Sequence, residues 1–361
     1  MKDLYIITQN LDAGGVEKAV CLQANAFQKI GYRVKILNLF YSIPIVDLST
    51  EIEVVTITSF HSDRLKKHNI FYRLIRKIDS IIKLIYHLRL IDSGVVISTR
   101  NEFSILLSKF GKHDVRKIAE LHHDHLHNKK LLNDFKYHYK NIDYFIHLTE
   151  MSKTEIEQVM IVTNKFTKNI VIPNFVNDYA CKKAERKNLC ISVGRLSKEK
   201  GFDRLIDIWK NVVAIQNNWK LLIIGDGPER DNLEHKAILY GIDKSIEFKG
   251  FLKNTDTLEL MNESKIYLMT SYTEAFPFTL IEAMQNYLPI ISFDVRTGPH
   301  SLIKNFENGF LIKDGDNDAF VKQLILLMQN DSIIKQLGIN AENMSKMYSE
   351  TNIMKLWQNI L

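Results

Sequence analysis

The sequence predicts an α/β protein of two doubly wound parallel sheets, each in its own domain, with a cleft between them. Three observations carry this. Short apolar, β-branched runs alternate with amphipathic helical stretches, the rhythm of a parallel sheet covered on both faces. The rhythm pauses at Pro173-Asn174, crosses a polar, irregular segment over residues 174–187, and restarts. A chain of 361 residues, 45% hydrophobic and 25% charged, suits two globular domains better than one core.

In the first series, residues 4–8, 33–39, 95–98, 117–121 and 144–148 read as strands, and 14–30 as the first helix. In the second, 190–193, 221–224, 246–248, 266–270, 290–293 and 310–312 read as strands. Helices fall at 202–215 and 229–240. Residues 354–361, with Trp357, read as a closing helix.

Composition excludes several classes. No run of 18 apolar residues suggests a membrane span. The apolar stretch 4–7 is too short for a signal-peptide core and no small-residue cleavage site follows it, so the chain is expected in the cytoplasm. Cys21, Cys181 and Cys190 are an odd set without CxxC spacing, which points to reduced thiols. The net charge of +6 fits nucleic acid, an anionic membrane or phosphorylated substrates. No basic patch with interleaved aromatics accompanies a reader motif, so nucleic acid is not expected as a partner.

Ligands of such sheets bind at the carboxyl ends of the strands, so the loops after each strand hold the candidates. The first strand runs into Gly14-Gly15-Val16-Glu17 before a helix. Glycine lets backbone N–H groups approach an anion, and the helix N-terminus adds partial positive charge. The plain alternative is a tight strand-to-helix turn. The spacing is not GxGxxG, which disfavours a nicotinamide-dependent oxidoreductase. The second series opens with Gly194-Arg195, followed by Lys200-Gly201. A diphosphate needs such cations in a partly desolvated cleft; the alternative is a solvated charge run. Gly225-Asp226-Gly227-Pro228 is a glycine turn with helix-start signals.

The densest segment is Ser271-Tyr272-Thr273-Glu274-Ala275-Phe276-Pro277-Phe278-Thr279-Leu280-Ile281-Glu282-Ala283-Met284. Two carboxylates at the mouth of one strand suit the vicinal hydroxyls of a sugar and a ribose. Separately, Glu282 could be a helix-dipole carboxylate and Glu274 an exposed loop acid. The loop Asp294-Val295-Arg296-Thr297-Gly298-Pro299 again places glycine, proline and a cation past a strand. In the first series, a strand leads into His122-His123-Asp124-His125-Leu126-His127. Clustered His and Asp suggest a metal, but neither i, i+4 pairing on one helix face nor HExxH is present. One cleft-facing histidine is the preferred reading, with no metal site.

These pieces together resemble the retaining family 4 glycosyltransferases of the GT-B fold, two facing Rossmann-like domains. The match runs in order over nearly the whole chain: Gly14-Gly15-Val16-Glu17-Lys18-Ala19, Val193-Gly194-Arg195-Leu196 with Lys200-Gly201, Gly225-Asp226-Gly227-Pro228, and Glu274 spaced eight residues from Glu282-Ala283-Met284. The resemblance implies an acceptor-binding domain over 1–173, a nucleotide-sugar domain over 174–340, and a closing segment 341–361 that crosses back to the first domain. It implies a UDP-sugar donor and no obligatory cofactor or metal. Arg195 and Lys200 would hold the diphosphate as leaving group, with Gly14 and Gly15 approaching from the other domain. Glu274 would lie by the donor sugar and Glu282 by the ribose. His122, or alternatively His123, would face the sugar, and backbone around Lys249-Gly250-Phe251 would meet the base. Ala275 stands where the family commonly has glycine, and the His-rich loop is unusual.

Residues 64–89 are the one biased stretch: Arg64, Lys66, Lys67, Arg73, Arg76, Lys77, Lys83 and Arg89 against the single acid Asp79. Ile70, Phe71, Leu74, Ile75, Ile78, Ile81, Ile82 and Ile85 interleave near helical spacing. A basic amphipathic helix can lie on an anionic membrane surface at the inner face of the cell membrane. The alternative is a core-covering helix with a solvated basic face. Enzymes of the resembled kind often extend glycans or lipid-linked glycans of bacterial surface polysaccharides. A GT-B sugar-nucleotide epimerase or a non-catalytic scaffold would share the fold. An epimerase has no need of the basic helix, and retention of Glu274, Glu282, Arg195 and Lys200 argues against a scaffold.

Overall fold

A computed structural model describes residues 2–12, 14–58, 70–122, 128–178 and 185–361. It resolves into two compact units, one of residues 1–175 with 353–361 and one of residues 176–352. Cys181, His123, Arg64, Lys66 and Lys67 lie outside the described residues.

Among the described residues, the first unit carries a seven-stranded sheet in the order β3-β2-β1-β4-β5-β6-β7. The strands are β1 (Asp3–Thr8), β2 (Arg33–Asn38), β3 (Glu53–Thr56), β4 (Gly94–Ser98), β5 (Val115–Glu120), β6 (Tyr144–His147) and β7 (Lys168–Val171). All pairs are parallel, with Leu4 opposite Val95 and Ile7 opposite Ser98. Chain order reverses between β1 and β4. The second unit repeats the plan as β10-β9-β8-β11-β12-β13 and reverses between β8 and β11. Its strands are β8 (Leu189–Val193), β9 (Lys220–Ile224), β10 (Ile246–Gly250), β11 (Ile266–Met269), β12 (Ile290–Asp294) and β13 (Gly309–Lys313). Such reversals open a crevice at the carboxyl ends of the two flanking strands.

The predicted strands appear within two residues of their expected limits. The edge strands β3 and β7 were not expected. Their side chains are mostly exposed or half-exposed, so neither shows the continuous apolar run of a buried parallel strand.

Each unit has its own core. In the first, Phe135, Tyr139 and Phe145 pack with ring centroids 5.0–5.2 Å apart. In the second, α6 (Phe202–Val213) buries Leu205, Trp209 and Val212, spaced four and three residues apart on one helical stripe. Burial of each such side chain contributes about 1.5–3 kcal/mol. The chain rejoins the first unit at Ile353 rather than at residue 341. Helix α12 (Asp331–Ser345) stays with the second unit because Ile334 and Leu337 enter its core and Gly338 lies against Tyr287. A Cβ on Gly338 would come 2.2 Å from the Tyr287 carbonyl oxygen. Helix α13 (Glu350–Gln358) then seats Trp357 edge-on against Phe27 at 5.2 Å, and Arg116 donates to the Ile360 and Leu361 carbonyls.

Helix α2 (Ile70–Leu90) does cover the core, through Leu84 and Leu88, but the side it turns to solvent is apolar as well as basic. Arg76, Ser80, Leu84 and Leu88 face inward at every fourth position, with Arg76 over the Phe40 ring. Leu74, Ile75, Ile78 and Ile82 are exposed. No helix among the described residues is long and apolar enough to cross a membrane.

Candidate active site

In the second unit, the turns after β8, β9 and β10 are tied to one another. Gly194 N–H donates to the Ile224 carbonyl and Gly225 N–H to the Gly250 carbonyl. Gly225 has φ +132°, and a Cβ on it would lie 1.9 Å from the Gly194 carbonyl oxygen. A Cβ on Gly227 would lie 2.4 Å from the Leu196 carbonyl oxygen. These two glycines are required by the chain's own close approach. A Cβ on Gly194 would meet the Phe202 ring and the Lys200 side chain, both at ordinary contact distance.

A 3-10 turn over Lys198–Lys200 ends at Gly201 in the left-handed region, φ +62°. Its Cα side is pressed against β11: Thr270 Oγ1 donates to the Gly201 carbonyl at 2.9 Å, and Tyr272 N–H donates to the Glu199 carbonyl at 2.8 Å. The loops after β8 and β11 are therefore laced together across the reversal. Lys200 Nζ donates to Glu274 Oε1 at 2.7 Å, and Ser271 Oγ donates to the same oxygen at 2.7 Å. The Glu274 side chain is 9% exposed and that of Lys200 26%. Both bonds converge on Oε1, and among the described residues nothing is bonded to Oε2. An ammonium has three donors, so Lys200 retains capacity for a further anion.

Arg204 holds this loop from behind. It is buried, donates to the Thr270 and Ser271 carbonyls, pairs with Asp314 at 2.6 Å, and lies between the Tyr272 and Phe293 rings at 4.1 Å from each. Thr297 fixes the backbone of Glu274: its Oγ1 donates to the Glu274 carbonyl at 2.5 Å. Thr297 does so at φ +75°, ψ −85°, a strained conformation for a β-branched residue.

Ala275 is half-buried, and Phe276 packs edge-on to Tyr348 at 5.6 Å. Pro277 precedes α9 (Phe278–Gln285), whose first residue is buried. The two phenylalanine rings thus belong to the core, and this segment presents backbone. Glu282 is buried on α9, close enough that its charge and that of Glu274 both act on the Tyr267 phenol. Burial is the main reason that phenol is pushed up, and its hydroxyl donates to the Val193 carbonyl. Arg195 is exposed, with no side-chain partner among the described residues, and Phe251 stands 63% exposed just after β10.

The first unit assembles a second cluster at its own reversal. Gly14 lies against the Glu17 carboxylate, whereas a Cβ on Gly15 would meet nothing within 4 Å. Glu17 is buried near the start of α1 (Gly15–Lys29), and burial raises its carboxyl above the usual range. Its own N–H and the charges of Arg100 and His122 oppose that rise. His122 Nε2 lies 3.2 Å from Glu120 Oε2, and Gln23 Nε2 donates to Glu120 Oε1 at 2.9 Å. All three side chains are buried. A carboxylate only accepts, so Nε2 carries the proton and Nδ1 is left as an acceptor.

Lys200, Glu274, Glu282 and His122 are named from sequence; Ser271 and Thr297 fall in loops singled out there but without a role, and Arg204, Gln23, Arg100 and Glu120 are missed. Glu120 left a signal: an acid closing an apolar strand two residues before His122, hence on the same strand face. Burial pushes the Cys21 thiol up to about 11 and that of Cys190 well above its ordinary value, which makes both poor nucleophiles.

The family model for Glycosyl transferases group 1 matches residues 178–344. The amylovoran biosynthesis glycosyltransferase AmsD of Erwinia amylovora is 34% identical over 218 residues, covering 59% of this chain and 60% of that protein. The GalNAc-alpha-(1->4)-GalNAc-alpha-(1->3)-diNAcBac-PP-undecaprenol alpha-1,4-N-acetyl-D-galactosaminyltransferase of Campylobacter jejuni is 26% identical, covering 100% of this chain and 98% of that protein. A crystal structure of an S. aureus TarM mutant in complex with Fondaparinux, alpha-GlcNAc-glycerol and UDP superposes with a TM-score of 0.83 at 17% identity, covering 100% of this chain and 99% of that one. The two parallel sheets thus share the GT-B fold of the TarM structure, and residues 178–344, most of the second unit, are similar to the Glycosyl transferases group 1 family.

Proposed function

We propose that the protein transfers a hexose or N-acetylhexosamine from a UDP-sugar to a glycan or lipid-linked glycan acceptor, with retention of anomeric configuration. The setting is bacterial surface polysaccharide biosynthesis (capsule, O-antigen, lipopolysaccharide or teichoic acid) on the cytoplasmic side. The observation that carries this reading is the Lys200–Glu274 pair, held with Ser271 at the reversal of the second sheet.

In this reading Lys200 and the exposed Arg195 neutralise the diphosphate as it departs, so that no metal ion is obligatory. Glu274 uses Oε2 for a donor-sugar hydroxyl while Oε1 keeps Lys200 in place. Glu282 accepts from the ribose hydroxyls, the backbone after Gly250 meets the base, and the open space beside Gly15 admits phosphate oxygens. His122 faces the sugar from the first unit. The names of AmsD and the Campylobacter enzyme support the polysaccharide setting, and the latter's undecaprenol-linked substrate supports a lipid-linked acceptor. The UDP bound to TarM supports the nucleotide.

The test is a donor screen with common UDP-, GDP- and ADP-sugars, with and without chelator, following nucleotide release. The reading expects release from a UDP-sugar that survives chelator and rises with a lipid-linked acceptor. Absence of turnover with every nucleotide sugar would refute it.

A further inference from the structure

Helix α2 has its amphipathicity turned outward. Leu74, Ile78, Ile82, Tyr86 and Leu90 recur at every fourth position, each 50–61% exposed, and Ile75 widens the stripe at 50%. Fourth-residue spacing keeps such side chains on one face of a helix. The inward positions are held by Arg76, Ser80, Leu84 and Leu88. A soluble helix ordinarily does the reverse, and a contiguous exposed apolar stripe marks an interaction surface. The sole acid of the helix, Asp79, is neutralised by Lys83 at 2.9 Å. Lys77 and Arg89 are exposed on the same helix. In sequence, Arg64, Lys66 and Lys67 lead into it.

We infer that α2 docks the enzyme on an anionic lipid bilayer, its apolar stripe entering the headgroup–acyl boundary and its exposed Lys77 and Arg89 meeting lipid phosphates. Charge decides for this occupant. A protein partner or second copy would need an acidic rim to match these cations, whereas an anionic bilayer supplies one everywhere. The tyrosine in the stripe has the amphipathic ring suited to the interface. The inference stands independently of the donor chemistry, and it would bring a lipid-linked acceptor to the enzyme by surface diffusion.

Vesicle co-sedimentation tests it, with phosphatidylcholine alone and phosphatidylcholine containing about 30% phosphatidylglycerol. The full chain is expected to bind the anionic vesicles at least about tenfold more tightly, and to be released at roughly 0.5 M salt. Ile78→Glu/Ile82→Glu is expected to lower binding by about tenfold or more. The same variant should keep its thermal unfolding midpoint and its nucleotide release with a water-soluble acceptor, because both side chains are already exposed. Ile82→Ser serves if the double variant folds poorly, with a smaller loss in the same direction. The inference is overturned if the wild-type chain ignores anionic vesicles or if the double variant binds them as well as wild type. It is also overturned if ultracentrifugation shows a wild-type dimer that the double variant abolishes, which would make the stripe a copy-to-copy interface.

Discussion

Lys200 and Glu274 are 74 residues apart in the chain, yet Lys200 Nζ lies 2.7 Å from Glu274 Oε1. The contact exists because the loops after β8 and β11 flank the reversal of the sheet and are bonded to each other through Gly201, Thr270, Glu199 and Tyr272. Removing the carboxylate should therefore damage more than one contact. Glu274→Ala leaves Lys200 and Ser271 without their shared acceptor and is expected to lower kcat by about 10²–10³-fold. Glu274→Gln keeps an oxygen for both donors but loses the charge, and should retain more stability than activity. Thermal unfolding and steady-state kinetics on the two variants separate these effects.

Arg204 touches none of the proposed donor groups, so its effect should come through the loop it holds. Arg204→Lys keeps the charge but cannot reach the Thr270 and Ser271 carbonyls and Asp314 together, nor stack between Tyr272 and Phe293. A loss of about 2–4 kcal/mol is expected by chemical denaturation, with reduced nucleotide affinity. Wild-type stability in Arg204→Lys would remove Arg204 from the account.

Thr297 sets strain against a hydrogen bond. Thr297→Ala loses the bond to the Glu274 carbonyl and keeps the positive φ, whereas Thr297→Gly loses the bond and relieves the strain. Glycine should therefore be the more stable replacement by about 1 kcal/mol, the reverse of the usual order. Urea midpoints of the two variants give the answer.

Burial raises the Glu17 carboxyl above its ordinary 4.5. The folded chain then holds that proton more tightly than the unfolded one, so this residue's contribution to stability is fully present below pH 4.5. It is lost as pH rises through the folded value. Glu17→Gln removes the buried charge. It should unfold at higher temperature than wild type at pH 8, with the gap closing as the pH is lowered toward 4.5.

Glu120 and Gln23 hold His122 in one tautomer, with Nδ1 as acceptor. Glu120→Gln offers one carbonyl oxygen where Glu120 uses two, so it cannot accept from both Gln23 Nε2 and His122 Nε2 in this arrangement. Steady-state kinetics should show kcat lowered while KM for the donor stays near wild type. Wild-type kcat with a lowered thermal unfolding midpoint would make Glu120 purely structural.

The fold was legible where burial on both faces produces unbroken apolar runs, as in residues 4–7 of β1 and 221–224 of β9. It was not legible at the edge strands β3 and β7, whose half-exposed side chains carry no such run. The candidate site was legible where a charged residue lies in the loop after a strand, hence Lys200, Glu274 and His122. Arg204 and Thr297 act through main-chain carbonyls of residues distant in sequence, and no local pattern announces that; Ser271 acts three residues away, on the Glu274 carboxylate, and a lone serine ahead of an acid carries no distinctive signal. The two readings of α2 stayed open in sequence because periodicity identifies an apolar face but not the side of the helix on which the sheet lies.

The central claim is that Lys200, positioned by Glu274, binds the donor diphosphate without help from a metal. Isothermal titration of UDP into the full chain with EDTA present, for wild type and Lys200→Ala, tests it most directly. The account predicts saturable binding to wild type under chelation and a loss of about 10–100-fold in affinity for the variant. Equal affinities, or wild-type binding that appears only when a divalent ion is restored, would contradict it.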